Sequence, residues 1–310
     1  MREAEAIERL RRIATAAEAR QLRDDAAVLD GLVITHDSIA EGVHFLPGDP
    51  AASVGWKLVA VNLSDLAAKG ATPAGALLSL TLSQDDHWDD EFLTGVEHAC
   101  ESYGLPLIGG DTIALPVDAP RILGMTAIGR SSGRVPDRAG GQPGDGLWLV
   151  GTLGDAAAGL EQLRMDPRAT GPLVDIYRRP IPQLIAGQAF ATLSHAMMDV
   201  SDGLLLDARR MAEASGCGME IQLDELPLSS AFVAERGGGR EARLFAVTGG
   251  DDYALLAALP SDFEPASLSL PSGTILACIG TLVGGRGIAL FDSSGDVPMP
   301  EHMGYEHHRA

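Results

Sequence analysis

The sequence predicts a mixed α/β fold that is divided into two domains. The chain has 310 residues, a length that favours two domains of ordinary size. Segments with helical spacing of apolar residues alternate with short apolar runs that are typical of strands. A stretch rich in glycine, proline and arginine over residues 131–146 is either a domain boundary or a loop that folds over a ligand. We therefore predict domains over residues 1–137 and 138–310.

The first predicted elements are a helix, a hairpin and a longer helix. Asp30-Gly31 is the turn of a hairpin over residues 26–37. Asp49-Pro50 starts the longer helix, as an N-cap residue followed by proline, and this helix runs to residue 69. The first helix is amphipathic, because apolar residues recur at helical spacing, namely at Ile7, Leu10, Ile13, Ala14 and Ala17.

The remaining elements alternate between the two types. In the N-terminal half they are a strand over 74–82, a helix over 86–103, a short buried strand over 106–109 and a strand over 121–129. In the C-terminal half they are a strand over 147–151, helices over 155–163 and 182–193, a strand over 196–200, a helix over 202–215, and strands near Met219 and Phe245. This order predicts mixed α/β domains in both halves.

Charge and composition exclude several classes of partner. The formal net charge is −20, so neither nucleic acid nor an anionic membrane surface is expected to bind. The longest uncharged stretch, over 265–285, is broken by serine, proline and glycine, and no spanning helix is expected. The N-terminus has no apolar signal core. The three cysteines lack metal-site spacing, and reduced thiols in a cytoplasmic protein are the simplest interpretation of Cys100, Cys217 and Cys278.

Aspartates at the ends of apolar runs are the main functional signal. An acid at the end of a strand lies at a crevice, where open sheets bind ligands. Several carboxylates in one crevice repel each other unless cations lie between them, and Mg²⁺ commonly bridges carboxylates to phosphates. The pattern therefore predicts a magnesium–nucleotide site built from distant segments. Its members lie in the sequences Asp24-Asp25, Thr35-His36-Asp37, Asn62-Leu63-Ser64-Asp65, Gly109-Gly110-Asp111, Asp199-Val200-Ser201-Asp202 and Gly250-Asp251-Asp252.

Each motif also has a simpler explanation that the sequence leaves open. Acid pairs such as Asp24-Asp25 are often only solvated, and Asn62 and Asp65 could share an exposed helix face, although burial without partners would be costly. Gly110 suits a tight turn as well as a close approach to phosphate. Ser201 or Asp202 could cap the next helix.

Single polar and aromatic residues are similarly ambiguous. His44 is either a packed loop residue or a ligand, and Tyr103 and Tyr305 are either core residues or contacts to a bound molecule. Arg138 is either a solvated charge or a fork-shaped donor to phosphate. No P-loop sequence occurs, and the chain has only two lysines, Lys57 and Lys69. The Gly-x-Ser-x-Gly match over 129–133 is a chance match, because glycines and proline follow where a helix is required.

Taken in order, the motifs resemble those of the thiamine-monophosphate kinase family, within the wider group of ATP-binding proteins that resemble aminoimidazole-ribonucleotide synthetase. The resemblance extends over almost the whole chain. Its motifs are Asp24-Asp25-Ala26, Asp37, Glu41-Gly42-Val43-His44-Phe45, Asn62-Leu63-Ser64-Asp65-Leu66-Ala67-Ala68, Gly109-Gly110-Asp111-Thr112, Arg138, Pro143-Gly144-Asp145, Gly154-Asp155-Ala156-Ala157-Ala158-Gly159-Leu160, Asp199-Val200-Ser201-Asp202-Gly203, Gly249-Gly250-Asp251-Asp252-Tyr253 and Gly304-Tyr305.

The resemblance implies an enzyme that uses ATP to phosphorylate thiamine monophosphate, with several Mg²⁺ ions. It also implies two α/β domains, the first of which pairs with its mate in a homodimer. The implied ATP contacts are Tyr103, Gly110, Asp111, Arg138 and Ser201. The implied metal ligands are Asp25, Thr35, His36, Asp37, Asp65, Asp111, Asp199 and Asp202. The implied contacts to the thiamine end are His44, Asp251 and Tyr305.

The chain departs from the family pattern at four positions. Arg23 stands where glycine is usual, His36 where a hydroxyl residue is usual, Lys69 where methionine is usual, and Asp251 where glutamate is common. Two other functions therefore remain open. One is a related ATP-dependent synthetase or maturation enzyme of the same superfamily. The other is a nucleotide-binding protein without catalysis. The absence of a cysteine before Cys100 argues against a selenophosphate synthetase.

Overall fold

Two β-sheets organise the part of the chain that the computed structural model describes, residues 3–131 and 133–306. The strands of the first sheet are β1 (Ala27–Leu29), β2 (Leu32–Ala40), β3 (Thr72–Leu82), β4 (Leu107–Ala114) and β5 (Ile122–Arg130). They are ordered β1-β2-β5-β3-β4, and β4 runs parallel to β3 while the other pairings are antiparallel. The mixed α/β fold that we predicted is confirmed for the first half of the chain. The ends of the predicted domains, at residues 1–2 and 307–310, lie outside the described residues.

The hairpin prediction is confirmed, whereas the prediction for β4 is wrong in one respect. Asp30 and Gly31 have φ angles of 49° and 78°, as a two-residue hairpin turn requires. The short apolar run before Gly109 suggested a buried strand. Instead, β4 continues to Ala114 and is exposed at every residue, because it is the edge strand of the sheet.

Three helices accompany the first sheet, α1 (Glu3–Arg11), α2 (Ala51–Ala68) and α3 (Asp86–Tyr103). The bounds of α3 match the prediction. The first helix ends earlier than predicted, and Ile13 beyond it is 76% exposed. Asp49 does not cap α2; its carboxylate accepts the Leu46 N–H at 2.7 Å and the Arg178 Nε–H at 2.8 Å. The helix therefore begins after Pro50.

Helix α2 lies at the centre of the molecule and is buried along nearly its whole length. A Cβ atom on Gly55 would lie 2.2 Å from the Phe92 carbonyl oxygen, so glycine permits the close approach of α2 and α3. On its other sides, α2 contacts β2 and β5 of the first sheet and α6 (Leu184–Phe190), β7 (Ala196–Val200) and β9 (Ala254–Leu259) of the second half. Polar side chains on α2 are therefore enclosed between the two halves.

The second sheet has seven strands in the order β12-β11-β8-β10-β6-β9-β7. The strands not yet introduced are β6 (Gly146–Val150), β8 (Gly218–Gln222), β10 (Leu276–Val283), β11 (Gly287–Asp292) and β12 (Gly295–Val297). The helices are α4 (Asp155–Met165), α5 (Pro172–Arg178), α6, α7 (Leu204–Ser215), α8 (Ser230–Arg236) and α9 (Arg240–Thr248).

Predictions for the second half were partly wrong. The segment around Phe245 is not a strand but lies in α9, whose apolar residues face the core at helical spacing. The predicted helix over 182–193 is the shorter α6. Strand β7 has the predicted bounds, and all five of its residues are buried. Within the described residues, no helix is both long enough and apolar enough to span a bilayer.

Candidate active site

Carboxylates from three distant segments meet where α2 faces β7. Asp25 precedes β1, Asp65 lies in the last turns of α2, and Asp199 lies near the end of β7. One oxygen atom from each lies within 4.8 Å of the others. Asp37 on β2 is close enough to Asp65 to raise the pKa of its carboxyl group. The predicted convergence of acids is present, and we refer to these four residues as the acidic centre.

Hydrogen bonds from neighbouring side chains hold the acidic centre in place. Thr35 Oγ1 donates to an Asp65 oxygen, and Ser64 Oγ donates to Asp199 Oδ2 at 2.7 Å. Asn62 is fully buried and joins α2 to β2, since its Oδ1 accepts the Asp37 N–H at 3.0 Å. The alternative in which Asn62 and Asp65 lie on an exposed helix face is therefore wrong.

Two cations neutralise Asp25. Lys69 Nζ lies 2.9 Å from Asp25 Oδ2, and Arg138 donates to Asp25 Oδ1. Burial raises the pKa of Asp25, but the charges of Lys69 and Arg138 outweigh burial and lower this pKa to about 2. Asp24 also pairs with Lys69 and with Arg20. The Asp24-Asp25 pair is thus buried and paired, not solvated.

The other three acids have the opposite shift. Burial raises the pKa of Asp65 and Asp199 well above the ordinary value, and repulsion from neighbouring carboxylates adds to the effect. Burial also raises the pKa of Asp37. Asp25 Oδ2 is buried and accepts no hydrogen bond of good geometry, although Lys69 is near. An all-oxygen donor set of this charge, with an unsatisfied oxygen, fits a hard divalent cation such as Mg²⁺.

These shifts predict that, without metal, the protein loses stability as pH rises. The folded-state pKa of Asp65 and Asp199 lies above the unfolded value, so their contribution is full below about pH 4 and is lost as pH rises through the folded value. Each carboxyl group that stays protonated only in the folded state costs about 1.4 kcal/mol per pH unit in that range. We expect the melting temperature in EDTA to fall as the pH rises above about 4.

Excess Mg²⁺ is expected to reduce this pH dependence, because bound cations compensate the ionised carboxylates. Calorimetric melting at several pH values, with EDTA and with Mg²⁺, is the measurement. A melting temperature that rises with pH in EDTA, or an equal slope in both buffers, would contradict the prediction.

A cavity of about 390 Å³ opens beside the acidic centre. Six predicted site residues line it, and they are Asp37, His44, Ser201, Asp202, Asp251 and Tyr305. The cavity therefore connects residues predicted to bind metal or ATP with residues predicted to contact the thiamine end. His44 and Tyr305 are not confined to the core, because both face this cavity.

Lys57 organises the cavity wall around Asp251. Its Nζ donates to Asp251 Oδ2 at 2.8 Å and to the His44 carbonyl oxygen at 2.9 Å. The Tyr253 hydroxyl donates to Asp251 Oδ1 at 3.0 Å. Asp251 has a φ angle of 67°, an uncommon conformation for a residue other than glycine. These contacts fix the carboxylate of Asp251 at the cavity surface.

The segment that carries Ser201 and Asp202 is held by a buried acid on α7. Asp207 Oδ2 accepts the N–H groups of Ser201 at 3.1 Å and Asp202 at 3.0 Å. Burial raises the Asp207 pKa to about 7, although Arg210 opposes this shift. Arg210 also contacts Asp202 Oδ2 at 2.6 Å. The N-cap residue of α7 is Gly203, which has no side chain to cap the helix, so neither Ser201 nor Asp202 is the cap.

Four predicted site residues lie apart from this assembly. The His36 imidazole is exposed and contacts Thr126 Oγ1 at 2.9 Å, on the face of β2 opposite to Thr35. Tyr103, at the end of α3, packs edge-on against Trp56, and burial raises its pKa to about 12. Gly110 and Asp111 lie on β4. None of the four lines the cavity.

Sequence reasoning missed the residues that hold the predicted site residues in place. Lys57 and Lys69 carried a usable signal, because the only two lysines of the chain lie in or directly after one apolar helix. Two lysines in such a segment need buried acids as partners. Asp207 had no comparable signal, since its role depends on the turn that brings it back to Ser201.

Comparisons with known proteins identify the family of the chain. The family model for the AIR synthase related protein, N-terminal domain, matches residues 23–131, and the model for the C-terminal domain matches residues 142–292. The thiamine-monophosphate kinase of Salmonella typhimurium (strain LT2) is 36% identical over 273 residues, which are 84% of this chain and 82% of the relative. That of Caulobacter vibrioides is 35% identical over 305 residues, covering 93% of this chain and 85% of the relative.

Solved structures of other proteins are similar to this chain in fold and sequence. AaThiL complexed with AMPPCP and TMP matches with a TM-score of 0.86 and 31% identity, covering 99% of this chain and 97% of that chain. The thiamine-monophosphate kinase of Stenotrophomonas maltophilia K279a matches with a TM-score of 0.75 and 36% identity, covering 92% and 94%. The hydrogenase maturation protein HypE of E. coli, at 22% identity and a TM-score of 0.71, shares the fold.

Proposed function

Because the chain belongs to the thiamine-monophosphate kinase family, we propose that it transfers the γ-phosphoryl group of ATP to thiamine monophosphate and forms thiamine diphosphate. The observation that carries this proposal is the meeting of Asp25, Asp65 and Asp199 beside a cavity that Asp37 and Asp251 line. A cluster of carboxylates that can hold cations, next to a cavity large enough for a substrate, suits phosphoryl transfer between two phosphates.

The acceptor needs no general base. A phosphate monoester is close to doubly ionised near neutral pH, so its oxygen is already a nucleophile. The difficulty is repulsion between two anions, which amounts to roughly 4 kcal/mol for unit charges 4 Å apart at an effective dielectric constant near 20. Bound Mg²⁺ would offset this repulsion and stabilise the transferring group. The reaction is then direct in-line transfer without a phosphorylated enzyme.

The acids of the site would hold these ions. We assign metal binding to Asp25, Asp37, Asp65, Asp199 and Asp202, with further contacts from Thr35 and Asp111. A contact from His36 would have to come from its main chain, because its imidazole lies on the face of β2 opposite to Thr35. Arg138 already lies against Asp25, so its guanidinium is positioned to follow the ATP phosphates next to the metal ligands. Ser201 begins the segment that Asp207 fixes, and its position on the cavity supports a contact to ATP.

The thiamine end would contact His44, Asp251 and Tyr305. The thiazolium ring of thiamine is cationic, and a carboxylate at the cavity wall favours it electrostatically. Lys57 and Tyr253 hold the Asp251 carboxylate, so it is oriented before the substrate binds. Preorganisation of this kind reduces the entropy that binding would otherwise cost.

We also propose that the protein is a homodimer whose partner completes the site. Asp37 on β2 is in register with Met125 on β5, Met125 with Leu78 on β3, and Leu78 with Gly110 on β4. Three strand spacings of about 4.8 Å separate Asp37 from Gly110 along the sheet, roughly 14 Å. Gly110 and Asp111 are therefore too far away to coordinate the same metal ion as Asp37 of the same chain.

The exposure of β4 supports a second copy as its partner. The strand is an unpaired edge, and it presents exposed apolar side chains at Leu107, Ile108 and Ile113. Such edges are normally covered in native proteins. Packing the sheets of two first domains face to face would cover β4 and could bring Gly110, Asp111 and the nearby Tyr103 toward the acidic centre of the partner copy. Extension of the sheet at the β4 edge would not, because it places β4 four strand spacings from the partner's β2. We propose that the domain boundary lies between residues 137 and 138. We also infer a cytoplasmic location from the three free cysteines.

The test of the function is direct. The purified protein is incubated with ATP, Mg²⁺ and thiamine monophosphate, and thiamine diphosphate is quantified by chromatography. We expect product that depends on all three components. ATP binding without turnover of the monophosphate would favour a nucleotide-binding protein without catalysis, and a stable phosphorylated protein during turnover would contradict direct transfer.

A further inference from the structure

Lys69 is a fully buried cation at the edge of the acidic centre. It is the C-cap residue of α2, and none of its side-chain surface is exposed. An ammonium group in such a place must be compensated by acceptors. Its ammonium group donates to Asp24 Oδ1 and to the Met197 carbonyl oxygen at 3.1 Å, and it forms an ion pair with Asp25 Oδ2 at 2.9 Å.

These contacts join separate parts of the fold. Asp24 and Asp25 belong to the segment before β1, whereas Met197 lies on β7, two residues before Asp199. Lys69 therefore connects the segments that supply two of the three converging carboxylates. The oxygen of Asp25 that lies near Lys69 accepts no hydrogen bond of good geometry from any described residue. A cation bound by that oxygen would share it with the ammonium group.

We propose that Lys69 is a positioning residue that acts as a built-in monovalent cation of the acidic centre. It orients Asp25 and supplies part of the positive charge that divalent cations would otherwise provide. The inference rests on the metal assignment within the proposed function. Its consequence is that Lys69 weakens the binding of divalent cations while it stabilises the metal-free fold, because like charges repel and the paired acids are compensated.

A purely structural role makes a different prediction. If Lys69 only connected α2 to β7, its loss would lower stability equally with and without Mg²⁺. If it compensates the acidic centre, its loss would lower the stability of the metal-free protein most, and Mg²⁺ would restore it. The two roles are therefore separated by metal binding and by melting, without any measurement of turnover.

The experiment compares Lys69→Gln with the matched control Arg243→Gln. Glutamine keeps a donor for the Met197 carbonyl and removes the charge. Arg243 is also a partly buried cation that donates to carbonyl oxygens, those of Leu223 and Leu226, but it contacts no member of the acidic centre. Mg²⁺ binding is measured by titration calorimetry without ATP or thiamine monophosphate, and melting is measured in EDTA and in Mg²⁺.

We expect Lys69→Gln to bind Mg²⁺ at least about tenfold more tightly than the unaltered protein. We also expect Lys69→Gln to have a lower melting temperature than the unaltered protein in EDTA and a larger rise in melting temperature when Mg²⁺ is added. Arg243→Gln should have a lower melting temperature with unchanged Mg²⁺ affinity. Affinity of Lys69→Gln within twofold of the unaltered protein, or weaker, would overturn the proposal. If this variant is unfolded in EDTA, folding in saturating Mg²⁺ supports the proposal, and failure to fold there overturns it.

Two further outcomes separate this inference from the proposed function. No Mg²⁺ binding by either protein without ATP would overturn the inference, whereas the proposed function is decided by thiamine diphosphate formation alone. Absence of thiamine diphosphate formation, with the calorimetric shift of Lys69→Gln intact, would overturn the proposed function and support the inference.

Discussion

Replacing Asp65 by asparagine is expected to lower kcat/KM for thiamine monophosphate by about 10²–10³-fold, the range seen when one preorganised electrostatic group is removed. Asp65 is the α2 member of the acidic centre, and its carboxylate approaches those of Asp25 and Asp199. Asparagine keeps the shape and can still accept from Thr35, but it lacks the charge that a divalent cation needs. The loss should therefore appear in the chemical step and in the Mg²⁺ requirement.

The stability of the metal-free protein should rise although its activity falls, and this combination distinguishes the loss of activity from misfolding. Burial and neighbouring acids raise the pKa of Asp65, so its ionised form is unfavourable in the metal-free fold. Asp65→Asn is thus expected to melt higher than the unaltered protein in EDTA at neutral pH. Asp90→Asn on the exposed face of α3 is the matched control and should change neither quantity. Unchanged turnover of Asp65→Asn would remove Asp65 from the metal site.

Local patterns in the sequence predicted the elements whose environment repeats along the chain. Helix α3 alternates exposed and buried faces at helical spacing, and β7 is a short apolar run that is buried on both sides. Both were predicted with correct bounds. The edge strand β4 and helix α9 were described wrongly, because a short apolar run does not reveal whether a strand is central, at an edge, or part of a helix.

In the candidate site, too, some residues were predictable from the sequence and others were not. Aspartates at the ends of apolar runs pointed to Asp25, Asp65 and Asp199, and the fold brings them together. The compensating charges were not predictable in the same way, since the contact between Lys69 and Asp25 depends on how α2 ends against the segment before β1. Sequence spacing carries no information about such long-range contacts.

Strand order adds a conclusion that the motifs alone did not contain. The motif with Gly110 and Asp111 has the composition of a phosphate or metal site, yet it lies on a strand three positions from β2 in the same sheet. If both motifs coordinate one metal ion, a second copy must supply one of them. In a symmetric dimer the same contact then occurs twice, once for each site.

Mixed dimers provide the decisive measurement. Asp65→Asn and Asp111→Asn should each abolish most activity alone, because every site in either dimer lacks one acid. When the two chains are co-expressed, about half of the dimers are mixed, and each mixed dimer has one complete site if Asp111 acts across the interface. We therefore expect about a quarter of the unaltered activity to return, in protein that light scattering shows to be dimeric.

The matched control combines Asp65→Asn with Asp199→Asn. These acids approach each other within one chain, so mixed dimers contain no complete site and activity should stay low. Recovery in the first pair without recovery in the second would locate Asp111 in the site of the partner copy. If neither pair recovers and Asp111→Asn is inactive, Asp111 acts within its own chain, and the proposed contact across the interface is wrong. Full activity of Asp111→Asn alone would exclude Asp111 from the site altogether.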